Sequence, residues 1–551
     1  MLLATVPQWY ALTIGGIALI WLVIRVVVRV IRLLVSYLGF YFLRYLAYRS
    51  VWRRVLRNVP WLHLLLFAIY IGINVFSTCF RTTTLVQLAS RSGLLATFNL
   101  IPVLASLHLS VAADMFGISL RDMALIRNTF RFGAAVEGLI HVAVYTRLGK
   151  LLLTAEQIFG IVVSRDLFRT SWVLTIPQSL GSLVLSSVVT MVCWHRYFSE
   201  SVLWVQFGSV FVAAAALWKH LHLRSFEFQC YILGGICAAV VVLSGRFVVD
   251  CYYNINLRHK HWLSRVTVSK IYRADGNDLI EMRGTAAVEI HMACCWNIRP
   301  GQYVYITIPA LGSRYLFQSH PFWIVSWQQD AERRSLRLNL LVKERRGFTS
   351  KLSGDEARIV WVSGPFGRSQ PFGDYGTVLM FATDIGIAAH LPYLKFLKES
   401  WTQARVRTRR IVLVWRMSDL NHDKWIKRWL DDIMSSDVDK ILEIHLHGPP
   451  TERYDVTDGS NPQVVPVRAG AGLHAGSHNR VHLMAQHVNF GRVFQEELIR
   501  PGRGKMVVSV CMDTVSRVNL RETVALRMDP DVRYHEHEFQ PPRVTKSTLL
   551  A

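Results

Sequence analysis

The stretch Leu341-Val-Lys-Glu-Arg-Arg-Gly-Phe-Thr-Ser-Lys-Leu352 joins an apolar, strand-like run to a glycine and then to a polar helix start. The first backbone N–H groups of a helix lack partners within the helix, and the helix dipole favours negative charge there. Arg345 and Arg346 add positive charge to the same turn. The segment therefore predicts a phosphate-binding strand–turn–helix, and the alternative is an ordinary capped surface helix.

The sequence on both sides of this stretch divides into two patterns. Alternating apolar runs typical of a β-rich domain lie near 266–272, 303–308, 322–327 and 336–342. Farther on, strand-like and helical runs alternate at 377–382, 387–399, 410–415 and 423–434, which is typical of a parallel α/β domain. Residues 452–482 are rich in Gly, Ser, Asn and Pro and predict a loop insertion. The glycines at 470–476 follow no strand, so they do not predict a nucleotide-binding turn.

Long apolar runs recur before residue 252, and the sequence after it is more charged and alternates between apolar and polar residues. About seven of these runs are long enough, or nearly so, to cross a membrane, at 9–31, 60–80, 93–116, 131–147, 172–194, 202–221 and 228–249. Many of the arginines behind the net charge of +24 stand beside these runs, which is typical of cytosolic loops. We therefore exclude a nucleic-acid partner, and we predict a multi-pass α-helical membrane bundle in contact with lipid.

Two histidines stand at unusual depth in the predicted spans. His141 lies inside the fourth span and His220 at the end of the sixth. Ionisable side chains at such depths are costly and usually functional, and two imidazoles on facing helices can hold a haem iron. The alternative for each is an interfacial histidine bonded to a neighbour. The eight cysteines show no spacing typical of a zinc site.

Several short motifs resemble the ferric reductase and NADPH oxidase superfamily, and in particular the fungal ferric-chelate reductases. In the membrane half they are Arg91-Ser-Gly93, Asn99-Leu-Ile-Pro102, Gly117-Ile-Ser119 and Trp218-Lys-His220-Leu221. In the soluble half they are Pro300-Gly-Gln-Tyr303, Gln318-Ser-His-Pro-Phe322, Gly364-Pro-Phe-Gly367, Val508-Ser-Val-Cys511 and Glu538-Phe-Gln-Pro541.

The resemblance implies an FAD-binding, ferredoxin-reductase-like β-barrel domain over 260–368. Its flavin strand would be His320, Pro321 and Phe322, with Trp323 where the family has a hydroxyl residue. The residues that the resemblance assigns to the flavin pyrophosphate are Gly347, Phe348 and Thr349, and those that form the turn toward the next domain are Gly364, Pro365 and Gly367.

An α/β domain that binds NADPH is implied over 369–545. Gly386 opens the helix after its first strand, although Thr383-Asp384 departs from the family's glycine-rich form. An acidic residue suits a pyrophosphate poorly unless its side chain caps the helix. We predict that Arg416 binds the 2′-phosphate, since an arginine fork suits phosphate, and the alternative is a solvent-facing arginine. The resemblance makes Cys511 the catalytic residue beside the nicotinamide.

The membrane half departs from the family in its histidines. Family members carry two histidines fourteen residues apart on each of two helices, and these hold two haems. Here Arg127 and Gln206 stand fourteen residues before His141 and His220. The resemblance therefore implies one haem b, held by His141 and His220, in place of two.

These inferences give one leading function. A first span and basic cytosolic segment (1–58) would precede a transmembrane domain (59–252), with the flavin and nucleotide domains in the cytosol and the plasma membrane as the site. Electrons would pass from NADPH through FAD and haem to an external ferric or cupric chelate. The alternatives are a superoxide-generating oxidase, a reductase of an organic acceptor in a biosynthetic pathway, and a non-catalytic paralogue.

Overall fold

The computed structural model describes residues 23, 27, 38–49, 60–106, 108–159, 218, 226–255, 264–275, 278–292, 296–312, 315, 319–330, 335–344, 348–352, 358–419, 422, 425–435, 440–449, 481–484, 488–502 and 504–539. The predicted spans at 9–31, 172–194 and 202–221 fall wholly or almost wholly outside this part, as do His220 and Gln206. Gly347 and all but the last two residues of the 452–482 insertion also lie outside it.

The first half of the described chain is helical. Its helices are α1 (Trp61–Cys79), α2 (Leu85–Ala105), α3 (Leu109–Phe116), α4 (Leu120–Phe159) and α5 (Phe226–Asn254). Within the described residues, three helices are long and apolar enough to cross a membrane, namely α1, α2 and the Leu233–Asn254 part of α5. The predicted fourth span, 131–147, lies inside the longer α4.

The predicted third span, 93–116, was placed too late in the sequence. The helix begins at Leu85, where Thr84 Oγ1 accepts a hydrogen bond from Gln87 N (3.2 Å), and it ends at Ala105. A separate helix then begins after His108, whose Nδ1 accepts from Val111 N (3.3 Å). His108 therefore caps a helix, and the apolar run that seemed to be one span is two helices.

Polar side chains join the membrane helices to one another. Tyr70 Oη donates to Asn99 Oδ1 (3.0 Å), and Asn99 Nδ2 donates to Asn74 Oδ1 (2.8 Å), which links α1 to α2. Thr78 Oγ1 donates to Glu137 Oε1 (2.9 Å), which links α1 to α4. Such bonds fix the register of helices where packing alone is weakly specific.

An antiparallel sheet follows the helices. Its strands are β1 (Arg265–Asp275), β2 (Asp278–Met292), β3 (Tyr303–Thr307), β4 (His320–Asp330), β5 (Ser335–Lys343), β6 (Arg358–Ile359) and β7 (Trp361–Phe366). The order is β6-β1-β2-β5-β4-β3-β7. Among the described ladders none joins β6 to β7, so the β-barrel stays a prediction. The inner face buries Ile290, Val304, Ile306, Leu338 and Leu340.

A second sheet is parallel throughout. Its strands are β8 (Thr377–Thr383), β9 (Arg410–Arg416), β10 (Leu442–His447), β11 (Val481–Met484), β12 (Met506–Cys511) and β13 (Val532–Glu536). Its helices are α6 (Leu391–Thr402), α7 (Lys427–Ser435), α8 (Phe490–Leu498) and α9 (Thr514–Arg527). The predicted insertion ends two residues earlier than expected, because Val481 and His482 belong to β11.

The strand order of the parallel sheet is β11-β10-β9-β8-β12-β13. The chain proceeds from β8 toward β9 on one side and returns to β12 on the other. In such sheets a ligand binds outside the carboxyl ends of the strands where the order reverses. A ligand of this sheet is therefore expected at the carboxyl ends of β8 and β12.

Residues 38–48 pack against this second sheet. Phe40 is buried in the core that contains Leu379, Val508 and Val532. Arg44 donates to the carbonyls of Ala525 (3.1 Å) and Leu526 (3.0 Å) at the end of α9, where a positive charge is favourable. This segment, which precedes α1 in the sequence, therefore packs as part of the domain that contains the parallel sheet.

Candidate active site

The flavin strand predicted from the sequence is the first part of β4. Pro321 and Phe322 lie opposite Tyr305 and Val304 of β3. The His320 ring stacks on the Phe348 ring, with centroids 4.6 Å apart and an angle of 29°. The structure thus brings the strand motif and the pyrophosphate segment together, although 27 residues separate them in the sequence.

The segment after β5 differs from its predicted form. Phe348 is fully buried, and Thr349–Lys351 forms one 3-10 turn where an α-helix was predicted. A single turn has fewer free N–H groups and a weaker dipole than an α-helix. The local backbone therefore gives phosphate less support than the sequence indicated.

Trp323, in the position of the family's hydroxyl residue, lies at the centre of an aromatic cluster. It is 8% exposed, and its ring centroid is 5.8 Å from Tyr303, 5.3 Å from Phe539 and 5.6 Å from His537. Because Phe539 and His537 follow β13, the cluster joins the flavin strand to the end of the nucleotide domain. Trp323 thus places a buried aromatic ring where the family has a hydroxyl residue.

The Gly364–Gly367 turn ends β7 and precedes the nucleotide domain, as predicted. A Cβ on Gly367 would lie 2.9 Å from Tyr303 Cε1, and its φ is 89°, so both space and backbone require glycine. The turn also contacts helix α3 and the residue that follows it, which the sequence did not indicate. Gly367 N donates to Asp114 Oδ1 (3.2 Å), and Arg368 Nη1 donates to Gly117 O (2.7 Å).

Helix α5 holds the same turn from the other side. Arg246 Nη2 donates to Gly364 O (2.9 Å) and pairs with Asp250 (2.6 Å), while its guanidinium lies 4.6 Å from the Phe366 ring centroid. Asn254 forms two bonds with the Val362 backbone, donating to its carbonyl (2.6 Å) and accepting from its N–H (2.8 Å). The flavin domain is therefore fixed to the membrane helices by specific bonds beside the flavin motifs.

Asp384 stands at the end of β8, where the family has glycines. It does not cap a helix. Its Oδ1 accepts from Ser418 N (2.7 Å) and Ser418 Oγ (2.6 Å) and lies 3.3 Å from His422 Nδ1. Burial opposes ionisation of Asp384, but the bonds from His422 and Ser418 outweigh burial and hold the pKa of this carboxyl below its usual value.

Gly386 follows in a 3-10 segment that leads to α6. A Cβ there would lie 2.1 Å from the carbonyl oxygen of Cys511, so the two strand ends approach as closely as a glycine permits. The predicted helix at 387–399 begins only at Leu391, because Asp384–Ala389 is 3-10. The role predicted for Gly386 is consistent with this close approach at the crevice.

Arg416 ends β9, as predicted, but it does not simply face solvent. Its Nη2 lies 2.5 Å from Asp513 Oδ2, and its guanidinium lies 5.7 Å from the Phe490 ring centroid. The side chain is 33% exposed. The predicted phosphate-binding arginine is thus present at the crevice, but it is paired with an acid that the sequence reasoning did not identify.

Cys511, the predicted catalytic residue, is buried at the end of β12. Its Sγ donates to Phe539 O (3.2 Å), which places it beside the aromatic cluster of Trp323. Burial raises the pKa of its thiol, so the group stays protonated and is not a nucleophile. Its position suits a contact with the nicotinamide, and that role stays a prediction.

Sequence reasoning missed a buried group of polar residues behind this cluster. Ser509 Oγ lies 2.9 Å from His537 Nε2 and 3.4 Å from His390 Nδ1, and His390 Nε2 donates to Phe381 O (3.1 Å). Burial lowers the pKa of His390 to about 4 and that of His537 well below its usual value, so both rings are neutral. The alternation of His535 and His537 in β13 and just after it was the available signal.

In the membrane half, His141 packs against α2. Its Nδ1 lies 2.6 Å from Ala89 O, and a Cβ on Gly93 would lie 2.6 Å from the same nitrogen. Because a carbonyl can only accept, Nδ1 carries the proton and the lone pair is on Nε2. An Nδ1–H bond to a backbone carbonyl is the usual arrangement of a metal-ligating histidine, so His141 would suit a haem iron as a ligand.

Arg127 occupies the position at which members of the family have an inner histidine. Arg127 Nη1 is 3.5 Å from Ser106 O, at the break between α2 and α3. Among the described residues no group of three or more His, Cys, Asp and Glu side chains could hold a metal ion.

Comparison with known proteins agrees with the motifs. The family model of an FAD-binding domain matches residues 264–370. The chain is 24% identical over 268 residues to ferric/cupric reductase transmembrane component 2 of Saccharomyces cerevisiae, covering 44% of this chain and 35% of that protein. It is 23% identical over 282 residues to ferric reductase transmembrane component 3 of the same yeast, covering 47% and 36% respectively.

A respiratory burst oxidase homologue of Arabidopsis thaliana is 22% identical over 187 residues, covering 27% of this chain and 21% of that protein. The match thus spans about a third or less of each of these relatives. Among solved structures, a cytochrome P450 reductase of Amycolatopsis matches at 18% identity and a TM-score of 0.32, covering 50% of this chain and 70% of that chain. A ferredoxin-NADP+ reductase of Plasmodium falciparum matches at 13% identity and a TM-score of 0.32, covering 51% and 99%.

The recognition drawn from the motifs is confirmed at the level of the superfamily. The homologues are reductase components and an oxidase homologue, and the FAD-binding match covers the sheet that carries the flavin motifs. Its apolar helices and its reductase homologues indicate a membrane protein, and the family match indicates an FAD-binding domain. Its relatives belong to the ferric reductase superfamily.

Proposed function

We propose that this protein is a membrane oxidoreductase that passes electrons from NADPH through FAD and one haem b to an external ferric or cupric chelate. The observation that carries the proposal is the meeting of the two half-sites. Trp323 of the flavin strand and Cys511 at the end of the nucleotide strand both contact Phe539, beside a turn that is bonded to helices α3 and α5.

The aromatic residues of the flavin site suit an isoalloxazine, while the single 3-10 turn at Thr349–Lys351 offers its pyrophosphate fewer N–H groups than an α-helix would. His320, Pro321 and Phe322 would lie along the flavin, while Phe348 and Thr349 would hold its phosphate end. Bound flavin would supply the conversion of a two-electron hydride donor into single-electron steps. The protein's own part is to orient the two half-sites and exclude water, which the buried cluster of Tyr303 and Trp323 favours.

The membrane half would contribute His141 and His220 as haem ligands. His141 lies 21 residues after the start of α4, roughly 30 Å along the helix at 1.5 Å per residue. Arg127, at the inner position, lies only about 10 Å along the same helix. Electrons would therefore cross one long gap, and turnover with an external acceptor should be slow. We place the flavin and nucleotide domains in the cytosol and the protein in the plasma membrane.

The experiment that tests this function uses the full-length protein in detergent. We expect bound FAD, NADPH oxidation with ferricyanide, and a reduced-minus-oxidised haem spectrum with one haem per chain. His320→Ala should lower flavin retention, while His291→Ala, an exposed histidine of β2, should not. Protein that retains no flavin after incubation with FAD would contradict the proposal.

The same preparation separates the other functions. Ferric-chelate reduction that superoxide dismutase does not inhibit supports the reductase, whereas dismutase-sensitive reduction supports an oxidase. NADPH oxidation that neither ferric chelate nor oxygen accelerates would favour an organic acceptor. Bound flavin without any nucleotide oxidation would favour a non-catalytic paralogue.

A further inference from the structure

Arg416 and Asp513 form an ion pair across the crevice at the strand ends. Arg416 is the last residue of β9, and Asp513 lies between the end of β12 and the start of α9. The Nη2–Oδ2 distance is 2.5 Å, and the acid is 10% exposed while the arginine is 33% exposed.

Asp513 is not free to move away from Arg416. Its Oδ1 accepts from Val515 N (3.1 Å) and Ser516 N (3.3 Å) and so caps α9. Its own N–H donates to Thr383 Oγ1 at the end of β8 (2.8 Å). One carboxylate oxygen therefore caps the helix, and the other accepts from Arg416.

This arrangement changes what Arg416 can offer to a phosphate. A 2′-phosphate that approaches the guanidinium also approaches the Asp513 carboxylate, so attraction and repulsion largely cancel. Displacing the carboxylate would break a charge-assisted bond to form another one of similar strength. The net gain from a 2′-phosphate is then small, although the arginine is in place.

We propose that Asp513 determines coenzyme specificity by neutralising Arg416, so that nicotinamide nucleotides with and without a 2′-phosphate bind with similar affinity. The inference rests on the proposed function, because it assumes a nicotinamide nucleotide at these strand ends. It changes that function at the electron donor, since NADH and NADPH would both serve.

The decisive variant is Asp513→Asn. Asparagine caps a helix as well as aspartate does, so α9 keeps its N-cap while Arg416 loses its counter-charge. We expect affinity for 2′,5′-ADP, measured by titration calorimetry on the full-length protein, to rise about tenfold, the size of one charge-assisted contact. Affinity for 5′-AMP should stay unchanged, and the Michaelis constant should fall for NADPH alone.

Two further variants make the result specific. In the double variant Arg416→Ala/Asp513→Asn the gain for 2′,5′-ADP should disappear, because the freed guanidinium is gone. Glu496→Gln removes one negative charge on the exposed face of α8, where Glu496 pairs with Arg492, and should leave both affinities unchanged. Asp513→Asn should keep the helix content of the unmodified protein by circular dichroism, whereas Asp513→Ala, which removes the cap as well as the charge, should unfold at a lower temperature than Asp513→Asn.

The outcomes distinguish the inference from the function. If unmodified protein already binds 2′,5′-ADP more than about tenfold tighter than 5′-AMP, or if Asp513→Asn binds both with unchanged affinities, Asp513 has no such role. If neither the unmodified protein nor the variant binds either nucleotide or oxidises NADH or NADPH, the proposed function itself is wrong.

Discussion

The flavin side and the nucleotide side of the crevice are built from different interactions. On the flavin side, rings contact rings: His320 stacks on Phe348, and Trp323 packs between Tyr303 and Phe539. On the nucleotide side, polar and charged groups pair: Arg416 pairs with Asp513, and Asp384 accepts hydrogen bonds from Ser418. The flavin side therefore keeps the apolar surface that its sequence motif implies, whereas the nucleotide side neutralises much of its own charge.

This difference explains why a motif can be present without its expected effect. An aromatic residue keeps its surface wherever it packs, so its contribution follows from its identity and position. The contribution of a charged residue depends on the charge beside it, which can come from anywhere in the chain. Arg416 and Asp513 are 97 positions apart in the sequence.

The largest loss of stability should come from adding a side chain at Gly386, on the nucleotide side. Gly386→Ala would place a Cβ 2.1 Å from the Cys511 carbonyl oxygen, and β12 would have to shift. We expect the free energy of unfolding to fall by about 2–3 kcal/mol, measured by denaturant titration of the full-length protein. Gly138→Ala, in α4 with no atom within 4 Å of its Cβ, should be neutral or stabilising. Equal effects of the two would show that the strand ends are not closely packed.

The flavin side should respond through its bonds to the membrane helices. Asn254→Ala removes both bonds to Val362 and leaves a buried N–H and carbonyl without them. We expect a loss of about 2 kcal/mol in the free energy of unfolding and faster proteolysis between α5 and β1. Asn339→Ala, which removes one partly buried bond to Ser326, should cost about 1 kcal/mol and leave that cleavage rate unchanged. Slow cleavage in Asn254→Ala would mean that other contacts hold the domain.

The junction of the two sides should give a pH signature. Burial raises the pKa of Glu538 to about 7, and bonds from the Leu120 amide and Tyr303 offset only part of the rise. The folded state therefore holds a proton that the unfolded state releases near pH 4.5, so stability falls as pH rises from 4.5 to 7 and is level above. Relative to Glu538→Gln, the unmodified protein should lose about 2 kcal/mol between pH 5 and pH 7.

A second contribution to the pH dependence of stability cancels when the unmodified protein is compared with Glu538→Gln. His390 and His537 are buried and neutral, so their contribution is lost as pH falls below about 6.5, in the opposite direction. Both proteins share it, and it cancels in the difference. Parallel stability curves from pH 5 to pH 7 would show that Glu538 titrates normally.

The smallest effect extends the comparison into the membrane, where the ring of His141 depends on a glycine. Gly93→Ala would place a Cβ 2.6 Å from His141 Nδ1 and displace the bond to Ala89 O. If His141 ligates haem, we expect haem affinity to fall about tenfold, as for other changes behind a metal ligand. The measurement is the haem-to-protein ratio on titration with haem, and Gly138→Ala is the control. An unchanged ratio would remove His141 from the ligand set.

The sequence predicted the elements whose residues are apolar and regularly spaced. Thr377–Thr383 and Arg410–Arg416 were found within one or two residues, because buried parallel strands are continuous apolar runs. The third span was misplaced because His108 caps a helix and does not interrupt one. The long helix α4 was seen only in its apolar part, since its first turns are charged.

For the candidate site, the sequence predicted individual residues but not the contacts between distant segments. The motifs gave the residues His320, Phe348, Gly386, Arg416 and Cys511. The structure stacks His320 on Phe348, brings Gly386 against the Cys511 carbonyl, and connects Cys511 to the flavin strand through the contact of Phe539 with Trp323. The sequence could not give the pairing of Arg416 with Asp513, the histidines around Ser509, or the bonds from Arg246 and Asn254 to the β7 turn. These contacts join distant segments, and neither periodicity nor a local motif records them.

The packing of residues 38–48 on the nucleotide domain has a consequence for biosynthesis. Phe40 and Tyr48 emerge from the ribosome long before Val532 and Tyr534, with which they share a core or a ring contact. That part of the nucleotide domain is complete only after the chain has been made as far as Tyr534, so the early segment must wait for it while the helices are inserted. At 5–20 residues per second, typical of synthesis, this wait lasts roughly half a minute to two minutes, during which the segment is open to chaperones and proteases.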